Sequence, residues 1–151
     1  MDKPTRLTDI FDEIVDTSKR KRAGRPSEKR DREELILRLK DKDTFVVRTI
    51  LQANFDDAIV FPFPSGEPPY VVNNEYVEVS DKVLGMLGYL VKGAKGTIGG
   101  KEMLFVKLLE KVNVEDAQLI CLAKDGKLED LYPTITEDIV KEVWPKIFGA
   151  A

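Results

Sequence analysis

Apolar residues recur with a helical period along most of the chain. Ile10, Phe11, Ile14 and Val15 share one face of a helix predicted over 9–18, with Thr8 as its cap. Leu35, Ile36 and Leu39 repeat that pattern around 31–40, where acidic residues come early and basic ones late, as the helix dipole prefers. Asp43 is predicted to cap a third helix, which turns Phe45, Val46, Val47, Ile50 and Leu51 inward and ends near Asn54–Phe55. Ser80 predicts another N-cap, with Val79 and Leu84 as a hydrophobic staple and Val83, Leu84, Leu87, Leu90 and Val91 as the stripe. Gly85 and Gly88 weaken this helix by about 1 kcal/mol each relative to alanine. Their spacing of three predicts a neighbour packed close against that side. Lys101–Val112 carries Leu104, Phe105, Leu108 and Leu109 inward. Asn113, with Asp116 three residues on, starts a helix to about Lys124, and Gly126 suits its C-terminal cap. Thr136 is predicted to cap a last helix, with Ile135 and Val140 as staple and Pro145 as its end.

Two stretches break the pattern. FDDAIVFPFPSGEPPYVV has four prolines between Pro62 and Pro69, which forbids both helix and central strand. Ala58–Phe61 is predicted as a short extended piece and Asn73–Asn74 as a turn; Gly93–Gly100 reads as a glycine-rich loop. The expected fold is mainly α: a compact multi-helix domain with one proline-rich irregular segment and a basic N-terminal arm. Its parts are an N-terminal helix at 1–18, an arm or linker at 19–32 and a helical domain at 33–151.

Composition narrows the chemistry. The 151 residues contain no histidine and one cysteine, Cys121, which excludes histidine-based catalysis, a four-cysteine zinc site and an internal disulfide. No apolar run is long enough to span a bilayer, and the acidic, amphipathic start is not a secretory signal. No membrane association, metal or cofactor is expected.

The net charge of −3 is unevenly spread. Residues 18–32, SKRKRAGRPSEKRDR, carry eight basic residues against Glu28 and Asp31, while the rest of the chain is strongly acidic. Such a local stripe points to an anionic partner. Lys19, Arg20, Lys21, Arg22, Gly24, Arg25, Pro26, Lys29, Arg30 and Arg32 are the candidate nucleic-acid contacts. Gly24-Arg25-Pro26 resembles the core of an AT-hook, whose arginines enter the narrow minor groove of A·T-rich DNA. Ala23 stands where the first core arginine belongs, so phosphate contact is the firmer expectation. A solvated linker, or an import signal in a eukaryotic host, is the competing reading.

Other motifs read as structural. GAKGTIGGKE fails as a phosphate loop: Lys95 sits where the first glycine belongs, and Glu102 replaces the magnesium-binding hydroxyl. Asp56–Asp57 and Glu129–Asp130 are adjacent pairs without a third ligand at a recognisable spacing, and suit turns and caps. Cys121 lies on an apolar stretch and reads as a core thiol. Trp144 and Phe148 are candidate partner anchors, against the alternative that they dock the last helix on the core. Pro68-Pro69-Tyr70 has the form of a WW-domain ligand but reads as a rigid turn. No catalytic constellation emerges, and an enzyme is not expected.

Three stretches together carry a resemblance: Pro64, Gly66, Pro68, Pro69 and Tyr70; then Leu104, Phe105, Leu108, Leu109 and Glu110; then Glu115, Asp116, Ala117, Lys124 and Asp125, closed by Thr136, Val140 and Pro145. The pattern, over roughly 41–146, resembles a family of short uncharacterised proteins of T4-like tailed phages, common in marine and cyanobacterial phages. The resemblance implies no catalytic residues and leaves the basic arm outside. It makes the leading expectation a non-enzymatic phage accessory protein, which contacts nucleic acid (DNA ahead of RNA) through the arm while the helical domain docks on a phage or host protein. An assembly component of a virion or multiprotein complex, or a factor that binds and redirects a host protein, are the alternatives. The implied setting is the cytoplasm of an infected bacterium or the virion.

Overall fold

The computed structural model describes residues 5–16 and 28–148, with the backbone alone for Glu28 and Lys29. The helical periodicity becomes seven α-helices among these residues: α1 (Leu7–Val15), α2 (Glu28–Asp41), α3 (Phe45–Phe55), α4 (Asp81–Gly85), α5 (Ile98–Glu110), α6 (Val114–Lys124) and α7 (Glu137–Val143). Single 3-10 turns lie at Met86–Tyr89 and Leu128–Asp130, and no strand forms among the described residues. The all-α expectation is met.

One apolar core joins these helices. Phe11 and Ile14 of α1, Leu39 of α2, Ile50 and Leu51 of α3, Leu108 and Leu109 of α5, Leu119 of α6 and Val140 of α7 are all fully buried. Packing runs from α3 onto α6, α5 onto α6 and α2 onto α7, and α1 packs on α2, α3 and α6. The N-terminal helix therefore shares the core of the domain expected at 33–151. Helix α2 begins at Glu28, so residues 28–32 are helical and only 19–27 of the expected arm precede it.

Local differences from the sequence reading have physical causes. Thr44, not Asp43, caps α3, its hydroxyl accepting from the Val47 amide at 3.4 Å. The helix predicted after Ser80 tightens to 3-10 after one turn, where Gly85 and Gly88 weaken it. The Phe45 ring covers Gly85 at 3.9 Å from where a Cβ would stand, whereas Gly88 has open space. Helix α5 starts three residues early because Thr97 accepts from the Gly100 amide at 3.0 Å. Leu104 is exposed, while Phe105, Leu108 and Leu109 point inward as predicted. Ala58 ends a turn, and Ile59–Phe61 lie in neither helix nor strand. Gly126, at φ +71, ends α6 as expected: its amide donates to Ala123 and that of Lys127 to Leu122, the paired bonds of a Schellman cap.

The start of α1 depends on a distant residue. Thr8 lies inside the helix and Arg6 occupies the cap position, where its amide reaches Asp9. The amides of Leu7 and Thr8 donate to the Asp116 carboxylate at 2.8 and 2.9 Å, and the Thr8 hydroxyl adds a third bond at 3.0 Å. Asp116 is completely buried on α6. Burial pushes its carboxyl above the usual carboxylate range, while the bonds from Thr8 and Leu7 and the charge of Arg6 pull the other way. An acid at a helix N-terminus satisfies amides that have no partner within the helix. Asp116→Ala leaves these donors buried and unpaired, and is expected to cost about 3 kcal/mol. Urea unfolding would read this as a lower midpoint at unchanged slope.

Candidate nucleic-acid interface

Lys19, Arg20, Lys21, Arg22, Gly24, Arg25 and Pro26 lie outside the described residues. Lys29 falls in the first turn of α2, and Arg30 is exposed on the same helix. Arg32 is engaged: its guanidinium bonds to Glu142 and, at 3.2 Å, to Asp138, both on α7. Hydrogen bonds to Glu142 and Asp138 raise the Arg32 guanidinium pKa; the Thr136 hydroxyl, then Arg32, lowers that of Asp138. Arg32 thus ties α2 to α7.

The helical body uses several other cations internally. Arg6 bonds to Asp9 at 3.0 Å, Asn113 at 3.2 Å and Glu115 at 3.1 Å, and lies 4.4 Å from the centre of the Tyr76 ring. Lys101 is buried, and its ammonium donates to the carbonyls of Val91 and Ala94 at 2.9 and 2.7 Å. Lys101, in the first turns of α5, is therefore a brace for the preceding loop. The buried Lys124 ammonium donates to the Pro64 and Gly66 carbonyls and to Asp125, at 2.9, 3.0 and 2.7 Å, which uses all three of its donors. Asp125 in turn accepts from the Gly66 amide at 2.7 Å, where φ +93 calls for glycine.

The other candidates make contacts within the fold. Tyr70 donates to Glu67 at 3.0 Å within its own turn. Asp56 accepts from the Ala58 amide at 2.9 Å, which closes a turn. Trp144 and Phe148 are half-buried against the core, and Lys141 covers the Phe148 ring. No group of three acidic or cysteine side chains suited to a metal ion occurs among the described residues. No helix is long and apolar enough to cross a membrane among them.

The resembling motifs now have physical roles: Pro64, Gly66, Lys124 and Asp125 form one lock, Glu110 holds the Val71 amide at 2.8 Å, and Asp116 caps α1. A family model described as a family of unknown function (DUF6433) matches residues 25–130. The chain belongs to this family. The match begins at Arg25, so the second half of the basic stretch lies within DUF6433 and Lys19–Gly24 outside it. It stops before Thr136, Val140 and Pro145. No curated protein and no solved structure matches the chain.

The sequence alone offers Lys124 and Arg6 no bracing role, because the partners that tie them across the fold lie about 60 and 107 residues away. Cys121 is buried as expected, and burial pushes its thiol up to about 12. At pH 8 the native protein should therefore resist a thiol-exchange reagent for hours and react stoichiometrically once unfolded. Rapid labelling of the folded protein would contradict this burial.

Proposed function

We propose that this DUF6433 member is a non-enzymatic accessory protein of a tailed phage that contacts DNA through residues 19–30, while its helical body docks on a protein partner. The observation that carries the reading is the separation of charge. A short, strongly basic stretch interrupts an otherwise acidic chain, and Arg6, Arg32, Lys101 and Lys124 of the body are engaged within the fold. Phosphate contact by the arm supplies affinity that depends on salt and little on sequence. Gly24-Arg25-Pro26 adds a preference for narrow, A·T-rich minor grooves. Phage origin rests on the motif resemblance, and the setting it implies is an infected cell or a virion.

The double variant Arg22→Ala/Arg25→Ala is expected to bind A·T-rich duplex several-fold more weakly, with helical circular dichroism unchanged. Its log–log salt slope should be shallower by about 2, since two phosphate contacts are lost. Fluorescence anisotropy across a salt titration measures both. Unchanged affinity, or no duplex binding by the natural chain at low salt, would discard the arm and favour an assembly role.

A further inference from the structure

A second surface has the chemistry of a nucleic-acid contact. From Lys82 to Lys101 the sequence holds four lysines and no acidic residue, bounded by Asp81 and Glu102. The fold buries only Lys101 of these four. Lys82, Lys92 and Lys95 are exposed and make no side-chain hydrogen bond or ion pair among the described residues. The buried Lys101 ammonium holds Val91 and Ala94, and the Lys92 amide is tied to the Val60 carbonyl, so the loop that carries Lys92 and Lys95 is braced.

Beside this loop runs an apolar groove of about 210 Å3 between α3 and the α4–3-10 element, walled by Phe45, Phe61, Leu84, Leu87 and Val91. Gly88 lines it too, with nothing within 4 Å of where a Cβ would stand. Thr49 and Gln52 contribute the polar groups at its edge. Tyr89, between the groove-lining Gly88 and Val91, is 74% exposed, an unusual place for so large a ring, and Phe45 is partly open as well.

We propose that this groove and the Lys92–Lys95 loop bind one unpaired polynucleotide strand, its phosphates on the lysines and its bases against Tyr89 and the groove. Aromatic faces stack on any base, and a basic rim follows the backbone, the combination that single-strand binding uses. Charge complementarity selects this occupant: an apolar partner surface would leave the lysine rim unanswered. The inference shares with the proposed function only the class of ligand, and it uses a surface distinct from the arm.

The test uses the full chain and labelled oligo-dT, oligo-U and an A·T-rich duplex. Tyr89→Ala is expected to weaken single-strand binding about tenfold, the loss of one stacked base, and Tyr89→Phe to restore it. Lys92→Gln/Lys95→Gln should reduce the single-strand salt slope by about 1.4. Equal losses on oligo-dT and oligo-U mean the strand is read by stacking and charge alone; a loss on only one identifies which polynucleotide the groove takes. Duplex binding should respond to Arg22→Ala/Arg25→Ala and stay constant in the groove variants. Loss of duplex binding without loss of single-strand binding would separate the two surfaces. Single-strand affinity that ignores Tyr89 and the lysine pair, that disappears only with the arm variant, or that is absent at low salt would overturn the groove. Both sites in the variants are exposed, and unchanged thermal unfolding would confirm that folding is intact.

Discussion

Residues 56–80 cross the molecule without helix or strand, so their backbone polar groups must find partners elsewhere. The α5–α6 pair and the residues that flank α6 supply several of them. Glu110 takes the Val71 amide and offers its own carbonyl to Asn73, Asn113 donates to the Glu75 carbonyl at 2.7 Å, and Lys124 with Asp125 closes on Pro64 and Gly66. Phe63 stacks on Phe105 of α5 at 5.2 Å, with Phe61 stacked behind it. The same two helices therefore carry the core on one side and the irregular crossing on the other.

Asp116 extends that platform to the N-terminus. Without it, α1 would present unpaired amides to a buried interface; with it, Leu7, Phe11 and Ile14 enter the common core. Tyr132 locks the far side: its ring stacks on Phe11 at 5.4 Å and its hydroxyl donates to Asp12 at 2.8 Å. Burial, then that bond, raises the Tyr132 phenol above its ordinary value. Arg38 on α2 donates to the Ile14 carbonyl at the end of α1, and Lys42 pairs with Glu13. Both ends of α1 are fixed by residues from other helices.

The electrostatic design follows from this division. Cations within the body serve as locks wherever carboxylates or carbonyls converge on them, as at Arg6, Arg32 and Lys124. Lys92 and Lys95 stand where no acid is close in sequence, beside an open apolar groove. The braced loop thus presents two exposed lysines without internal partners beside the groove, which suits the strand-binding surface proposed there.

Periodicity, caps and prolines by themselves determined that the chain is helical, where most helices run and which segment is irregular. Those are local properties, set by side-chain spacing and backbone sterics within a few residues. They also marked the basic stretch, the inert Cys121 and the glycine that ends α6. What the sequence left undecided was the pairing of polar residues far apart in the chain. Asp116 looked like a cap for its own helix and caps α1; Lys101 looked like the first residue of a helix and became the buried brace of the loop before it; Arg32 looked like part of the arm and pairs with α7. Leu104, on an apolar stretch, faces out, and exposed Tyr89 follows Gly88, which lines a groove that only the approach of α3 creates. A hydrogen bond or an ion pair depends on where two groups meet in space, and that is decided only when the helices pack.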